Sequence, residues 1–445
     1  MDILGLLPQA GSLVWTVLFF VLALSIIVFI HEYGHYIVGR WSGIHAEVFS
    51  LGFGPVLFSR QDSRGTRWQL AAIPFGGFVK FLGDADAASG KDGAAMSALT
   101  AEERRHTMHG APLWARSATV AAGPVFNFIL TLVIFVGMIT VLGVPSDAPV
   151  VGEVRSTAFQ GPSLQTGDRI LAINGTDTPD NDTLYALIAD LPPSASVTYR
   201  VDRGGETVEF AGPHPFPPMI STVQTKSAAM DAGLQAGDVI VSIDGTPVSA
   251  FTEMPAMVAA TGAKPLSLVV WRDGTTFEAT LTPRSRDLPL PEGGFETRFL
   301  IGLNGAPLFS PQTRAPGVGE TLTLAAQQTW SLAVTTLSGI WHIVTGAISS
   351  CNISGPIGMA TVMGDAARSG VESFVTMIAV LSLGIGLMNL FPIPVLDGGH
   401  LVFHAFEAVT GKPPSDRSLR VLMTVGLTLI LSLMVFAITN DLFCV

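Results

Sequence analysis

The feature that most constrains this chain is an uncharged apolar run at positions 12–30, SLVWTVLFFVLALSIIVFI. At a helical rise of about 1.5 Å per residue, such a run extends about 28 Å, close to the hydrocarbon thickness of a bilayer. It therefore predicts a transmembrane helix at about 12–39. A cleaved signal peptide is the alternative, but no Lys or Arg precedes the run and no small-residue cleavage site follows it.

Three more apolar runs predict transmembrane helices at about 113–143, 371–391 and 421–440. Four crossings place both termini on the same side of the membrane. Basic residues are concentrated in 40–105 and 412–420, whereas the first twelve residues and the last six contain none. Because basic loops stay inside, we expect both termini and the long segment between the second and third helices to lie outside.

The amino-acid composition limits the possible binding partners and indicates the state of the cysteines. A formal net charge of −11 provides no basic face for phosphate groups, so we expect no nucleic-acid partner. Only two cysteines are present, Cys351 and Cys444, which is too few for a disulfide framework. We expect both to be free thiols without a redox role.

A twelve-residue pattern occurs twice in the region predicted to lie outside, as QTGDRILAINGT at 165–176 and QAGDVIVSIDGT at 235–246. Each copy is typical of a Gly-Asp turn, a short strand and a tight Asn-Gly or Asp-Gly turn, and the duplication indicates two copies of one unit. These motifs resemble PDZ domains. The resemblance implies two inserted PDZ-like α+β domains, at 148–215 and 216–285, in a multi-pass α-helical membrane protein.

PDZ domains add an extended peptide to the edge of a sheet, which implies peptide or trimmed substrate ends as partners. A passive spacer is the alternative, because a fold does not establish a function. The following segment, 286–350, is predicted to be a linker with an amphipathic helix on the membrane surface. Segments 1–147 and 351–445 are then the two parts of the membrane-embedded core.

The first predicted span ends in the motif HEYGH, which contains His31, Glu32 and His35. Positions i and i+4 of a helix share a face, so both imidazoles can bind one metal ion with Glu32 beside them as general base. Ionisable side chains in a span are costly and normally mark a functional site. The alternative is that the three residues only cap the helix at the interface.

A catalytic zinc ion commonly has three protein ligands and one open position, so a third ligand is required. Asp397, in NLFPIPVLDGGH at 389–400, is the best candidate. The first and third spans both run inward, which brings His31 and Asp397 to the same side of the membrane. Two histidines and one carboxylate suit Zn²⁺.

The residues before Asp397 predict a substrate-binding wall. Pro392 and Pro394 remove helix hydrogen bonds and should break the third span, and irregular backbone at membrane depth is tolerated where it lines a wet cavity. Asn389 could bind the substrate backbone or a developing oxyanion. A simple helix end is the alternative.

In their order along nearly the whole chain, these motifs resemble the site-2 protease family, in its bacterial regulator-of-sigma-E branch with tandem PDZ domains. The motifs are HExxH in the first span, Gly-Pro-x-x-Asn in the second (Gly123, Pro124, Asn127), the duplicated unit, and N-x-x-P-x-P-x-L-D-G in the third. The resemblance implies an intramembrane zinc metalloprotease of the bacterial inner membrane with its active site near the cytoplasmic side. It implies that His31, His35 and Asp397 bind zinc and that Glu32 activates its water.

The resemblance also implies the substrates, which are single-span membrane proteins such as anti-sigma factors and remnant signal peptides. It further implies a membrane-re-entrant β-hairpin at about 52–81, in which Gly76 and Gly77 would contact the substrate; an ordinary interfacial loop is the alternative. Two other functions fit parts of the pattern. An inactive PDZ membrane scaffold would bind partners without cleavage, and a metal transporter would need a continuous polar path.

Overall fold

The computed structural model describes residues 3–85, 96–97, 99–224, 227–289, 295–346, 350 and 353–443. Cys351 and Cys444 lie outside these residues, so the expectation of free thiols stays a prediction. The chain divides into two compact units. The first unit is Met1–Met138, Gly319–Trp341 and Ser350–Val445, and the second is Ile139–Val318 and His342–Ser349.

In chain order, the elements up to the first repeat are α1 (Ile3–Trp41), β1 (Ala46–Gln61), β2 (Arg67–Phe81), α2 (Ala101–Arg104), α3 (Leu113–Leu142), β3 (Val144–Pro145), β4 (Val151–Val154), β5 (Arg169–Ile173), β6 (Thr176–Asp177), α4 (Asn181–Asp190), β7 (Val197–Arg203) and β8 (Glu206–Gly212). The second repeat comprises β9 (Ile220–Val223), α5 (Ala228–Asp231), β10 (Val239–Ile243), β11 (Thr246–Pro247), α6 (Met254–Thr261), β12 (Leu266–Arg272) and β13 (Thr275–Leu281). The remaining elements are β14 (Arg284–Pro289), β15 (Phe295–Leu300), β16 (Leu303–Gly305), β17 (Phe309–Pro311), β18 (Thr313–Arg314), α7 (Val318–Val344), α8 (Pro356–Arg368), α9 (Val371–Asn389), α10 (Asp397–Thr410) and α11 (Asp416–Phe443).

Within the described residues, four helical segments are long and apolar enough to cross a membrane. They are Leu13–Trp41, Leu113–Leu142, Val371–Asn389 and Arg417–Phe443. The four predicted spans are therefore confirmed as helices, each within a few residues of its predicted bounds. Continuous apolar runs of this length can be recognised directly in the sequence. A helix in lipid makes all its backbone hydrogen bonds within itself, so local composition is sufficient to predict it.

One buried apolar cluster of the first unit forms where α1, α8 and α9 meet. Ala23 and Ile27 of α1 pack with Met363 of α8 and with Phe374 and Ile378 of α9. Helices α8 and α10 were not predicted from the sequence. Both are shorter than a membrane span, so a search for long apolar runs passes over them.

The carboxylate of Asp441 connects the last membrane-spanning helix, α11, to α8. Asp441 of α11 accepts hydrogen bonds from the backbone N–H groups of Gly355, Ile357 and Gly358, at 2.9, 3.0 and 3.0 Å. These N–H groups belong to the first turn of α8, where no intrahelical acceptor exists and where the helix dipole favours a negative charge. The contact holds the C-terminal helix against the core.

The predicted hairpin is present and is longer than expected, because β1 and β2 extend over 46–61 and 67–81. Both strands bend, so that residues 46–51 pair with 77–81 on one side and with 67–70 on the other, while 56–61 pair with 67–71. Among the described strands, 77–81 pairs only with 46–51, and this leaves it at an edge of the sheet. Its position in a membrane stays a prediction.

The hairpin is tied to α1 at its turn. Tyr36 donates from its hydroxyl to Oδ2 of Asp62 at 3.3 Å, and Trp68 donates to the same oxygen from Nε1 at 3.1 Å. The rings of Tyr36 and Trp68 are 5.0 Å apart in an edge-to-face arrangement. These contacts hold the sheet beside the helix that contains the HExxH motif.

The second unit contains two four-stranded sheets with the same strand order, β6-β5-β7-β8 and β11-β10-β12-β13. The duplication extends to buried ion pairs. Asp168 accepts from Arg203 at 2.7 and 2.8 Å, and Asp238 accepts from Arg272 at 2.6 and 2.7 Å. Each body has its own apolar core.

Segment 286–314 differs from the predicted linker, because it contributes strands to both bodies. Strand β16 pairs with β9, and β17 pairs with β4. Leu308 and Phe309 belong to the core of the first body, and Ile301 belongs to that of the second. The chain therefore leaves the first body, forms the second, and returns to complete the first. These strands have only three residues each, too few for alternation to reveal them.

Candidate active site

The HExxH motif lies within the long helix α1, with Glu32 between the two histidines in sequence. The Nε2 atoms of His31 and His35 are 3.2 Å apart, as expected for positions i and i+4 on one face. His31 is 9% exposed, so this face points into the protein rather than outward.

Asp397 is brought to the same point from a distant part of the chain. Helix α9 ends at Asn389 and α10 begins at Asp397, so residues 390–396 form the break that Pro392 and Pro394 predict. Oδ2 of Asp397 lies 3.2 Å from Nε2 of His31, and Oδ1 lies 3.5 Å from Nε2 of His35.

The three side chains form a triangle suited to one metal ion, and they are a His/Asp group whose ligand atoms all lie within 4.8 Å of one another. Donor atoms at tetrahedral positions about 2.0–2.1 Å from zinc lie about 3.3 Å from each other. The 3.2 Å between the two Nε2 atoms matches this spacing. The distances to Asp397, 3.2 Å from His31 to Oδ2 and 3.5 Å from His35 to Oδ1, are close to it as well, and they end at different oxygens of the one carboxylate.

The hydrogen bonds on the outer sides of the rings favour metal binding. Nδ1 of His35 lies 2.8 Å from the backbone carbonyl of Thr119, which can only accept, so Nδ1 carries the proton. In the neutral ring, Nε2 of His35 then presents a lone pair to His31 and Asp397. Oδ2 of Asp397 is buried without a hydrogen-bond partner among the described residues. Lone pairs and a carboxylate oxygen converging in this way fit a bound cation.

Gly123 on α3 lies against the metal-binding face. A β-carbon there would overlap Nε2 and Cε1 of His35 and would lie 2.8 Å from Cε1 of His31. Only glycine therefore allows α3 to approach both imidazoles this closely.

Glu32 faces a cavity of about 230 Å³ that the three ligand side chains also line. The cavity is bordered by β2, α3, the end of α9, α10 and the segments before α3 and α10. Its other lining residues are Gly77, Phe78, Val79, Phe81, Met108, Thr119, Val120, Asn389, Val395 and His400. A β-carbon on Gly77 would lie 3.1 Å from Cγ of Glu32, so glycine keeps the strand close to this carboxylate.

The structure separates the predicted substrate-binding residues into two groups. Asn389 and Gly77 line the cavity with Glu32, whereas Gly76, Pro392 and Pro394 are not among its lining residues. Gly76 has a φ of +125° and belongs to the bend of β2. The backbone of Pro394 packs against Gly426 of α11.

Some residues around the site had no role in the sequence analysis. Val395 lines the cavity with a φ of +91°, an unusual value for a β-branched residue that places strain two positions before Asp397. Thr119 contributes only a carbonyl, which no side-chain pattern reveals. Gly123 and Asn127 were identified only through motif order, without a role. The amide of Asn127 lies 3.2 Å from Nδ1 of His31.

Comparisons with known proteins agree with this geometry. A family model described as Peptidase family M50 matches residues 19–433. A candidate zinc metalloprotease of Agrobacterium fabrum is 34% identical over 442 residues, covering 98% of each chain. Regulator of sigma-E protease RseP of Salmonella typhimurium is 33% identical over 457 residues, and that of Escherichia coli is 32% identical over 460; each match covers 97% of this chain and 99% of the relative.

A solved structure, the PDZ domain of an SdrC-like protein from Listeria monocytogenes, matches 20% of this chain and 86% of that chain. The two are 17% identical with a TM-score of 0.17, which is too low to support a fold assignment.

Proposed function

The chain belongs to peptidase family M50, and we propose that it cuts the transmembrane segments of single-span membrane proteins at a zinc ion bound by His31, His35 and Asp397. Membership of this family and the similarity to RseP make it a membrane-embedded zinc metalloendopeptidase with zinc as the family cofactor. The observation that carries the residue assignment is the triangle of ligand atoms, which joins two helices from opposite ends of the chain.

In the proposed mechanism, Glu32 is the general base. A zinc ion held by His31, His35 and Asp397 would polarise the scissile carbonyl and make the attacking water more acidic. The Glu32 carboxylate would take a proton from the attacking water and give it to the leaving amide nitrogen. Gly77 keeps the strand against this carboxylate.

A helical substrate must unwind before its carbonyls can react, and the strand 77–81 offers a binding edge for the unwound segment. It pairs on one side with 46–51 and borders the cavity on the other. An extended segment added to this edge would pass beside Glu32. Asn389, on the cavity wall at the end of α9, would donate to the substrate backbone or to a developing oxyanion.

The proposed substrates are anti-sigma factors and remnant signal peptides in the bacterial inner membrane. Both proteins named RseP are described as regulators of sigma-E, which supports the first class. Loops rich in basic residues tend to stay on the cytoplasmic side of a membrane. The proposed orientation therefore has both termini and the repeat region outside, and the active site near the cytoplasmic side.

The two repeat bodies are proposed to be PDZ-like domains that bind trimmed substrate ends. A groove of about 80 Å³ lies between α6 and β15–β16, with Met254, Val258, Phe299 and Leu303 among its residues. An apolar groove between a helix and a strand suits an extended peptide with an apolar end.

The decisive experiment combines cleavage and metal content in the purified full-length protein. Glu32→Gln should reduce cleavage of a single-span substrate about 10²–10⁴-fold while zinc stays bound, because only the base is lost. Asp397→Ala should lose zinc as well. Glu372→Gln, at the exposed start of α9, is the matched control and should behave like the native protein.

Retained cleavage in Glu32→Gln would remove Glu32 from the mechanism. Native zinc content in Asp397→Ala would remove Asp397 from the ligand set. Comparing membrane fragments in cells with the native and Glu32→Gln proteins would identify substrates as truncated single-span proteins that accumulate only with the variant.

A further inference from the structure

Asn127 of α3 is fully buried beside the metal site, on the side of His31 that faces away from Asp397. Its exposed fraction is 0%, and its amide lies 3.2 Å from Nδ1 of His31. We propose that Asn127 is a positioning residue that accepts a hydrogen bond from Nδ1–H of His31 and so holds Nε2 toward the metal. This inference rests on the proposed zinc site.

The chemistry of the imidazole fixes the direction of this hydrogen bond. A histidine that binds a metal through Nε2 has no proton there, so its neutral ring carries the proton on Nδ1. His35 has this arrangement already, because its Nδ1 faces the Thr119 carbonyl. His31 needs an acceptor in the equivalent place, and the only acceptor on the Asn127 amide is Oδ1.

The amide orientation in the structure is the opposite one. Nδ2 points at His31, and Oδ1 is buried without a hydrogen-bond partner among the described residues. Amide oxygen and nitrogen have nearly the same shape, so the hydrogen-bond network decides between them. A half-turn of the amide brings Oδ1 to Nδ1–H and gives the buried oxygen a donor.

The backbone of Asn127 is held in place for this task. Its carbonyl accepts from the hydroxyl of Thr131 at 3.1 Å and from that of Ser382 on α9 at 3.0 Å. The same Thr131 hydroxyl lies 3.0 Å from the carbonyl of Ala379, so its single proton is shared between the two carbonyls. These hydrogen bonds join α3 to α9. They fix the position of the Asn127 backbone, and so that of its side-chain amide, relative to the His31 ring.

Replacing Asn127 by Asp and by Leu separates an accepting role from a packing role. Asp keeps an acceptor and removes the N–H donors, whereas Leu has a similar volume and neither group. If Asn127 accepts from His31, Asn127→Asp should bind zinc within a few-fold of the native affinity or more tightly. Asn127→Leu should bind zinc about 10–100-fold more weakly, the usual effect of losing a partner that orients a ligand.

The measurement is the zinc dissociation constant of the full-length protein in detergent, obtained by chelator competition, with the absorption spectrum of the Co²⁺-loaded protein as a second readout. Asn440→Leu is the matched control, because the Asn440 amide is also buried but donates to the carbonyl of Ser350 rather than contacting an imidazole. Its zinc affinity and cobalt spectrum should be native.

Three results would overturn the inference: weakened binding in Asn127→Asp, native affinity in Asn127→Leu, or an equal loss in Asn440→Leu. The Asp variant decides even if the Leu variant does not fold, because a donating amide and an accepting one predict opposite results for it. Failure of the zinc site itself would appear differently, as native zinc affinity in His31→Ala.

Discussion

Arg116 of α3 and Glu407 of α10 form a bidentate ion pair. Nη2 of Arg116 lies 2.6 Å from Oε1 of Glu407, and Nη1 lies 3.1 Å from Oε2. The side chains are only 14% and 18% exposed, so the pair is largely shielded from water. Helix α10 begins at Asp397. The pair therefore anchors the helix that presents Asp397 to the helix that contacts both histidines.

Removing one partner should loosen this anchor. We expect Glu407→Gln to lower the free energy of unfolding by about 2 kcal/mol, because it leaves a shielded guanidinium unpaired. Zinc retention should fall with it, as Asp397 becomes less well positioned. Thermal unfolding in detergent and zinc content measure the two effects. The exchanged pair, Arg116→Glu with Glu407→Arg, should recover part of the loss, and no recovery would argue against the pair as the cause.

Gly123→Ala should abolish zinc binding and cleavage, since the added methyl group overlaps the His35 ring. Zinc content and substrate cleavage provide the readouts. Gly137→Ala is the matched control on α3, because nothing lies within 4 Å of a β-carbon at Gly137. That control should stay active and gain up to about 1 kcal/mol of stability from the better helix propensity of alanine. Normal zinc content in Gly123→Ala would contradict the close approach described above.

The two buried aspartates of the repeats should act independently. Asp168→Asn removes the charge that pairs with Arg203, and Asp238→Asn does the same for Arg272. Each change should cost about 2 kcal/mol locally, because the arginines are about one-third exposed and partly solvated. Hydrogen exchange should rise in the sheet whose strand follows the mutated residue. Equal increases in both sheets would show that the two bodies unfold as one.

His214 should make the stability of its body depend on pH. It is 1% exposed, and burial lowers its pKa despite the opposing influence of hydrogen bonds and of Glu253. Nδ1 lies 3.1 Å from both the backbone nitrogen and the carbonyl oxygen of Phe216, and the tautomer of the ring decides which of the two it bonds.

Between its folded and ordinary pKa values, the unfolded chain binds more protons at His214 than the folded chain. The free energy of unfolding should therefore fall as pH decreases from about 7 to 5, through the ordinary histidine value of about 6.5. Hydrogen exchange near residue 214 at several pH values tests this. His214→Gln should flatten that part of the profile, and an unchanged slope would assign the effect to other groups.

Local patterns in the sequence were sufficient for much of the architecture. The four long helices follow from uninterrupted apolar runs, and the break before Asp397 follows from two prolines. The approach of His31 to His35 follows from their spacing in α1. These features depend on residues close together in the chain, where helix geometry and proline chemistry act directly.

The sequence by itself determined which side chains could bind a metal ion and which segments could cross a membrane. Only the tertiary structure placed Gly123 against the imidazoles, gave Asn127 its position beside His31, paired Arg116 with Glu407, and returned β17 to the first repeat body. Each of these contacts joins residues far apart in the chain. Their energies depend on distances between packed elements, and no local propensity or periodicity contains that information.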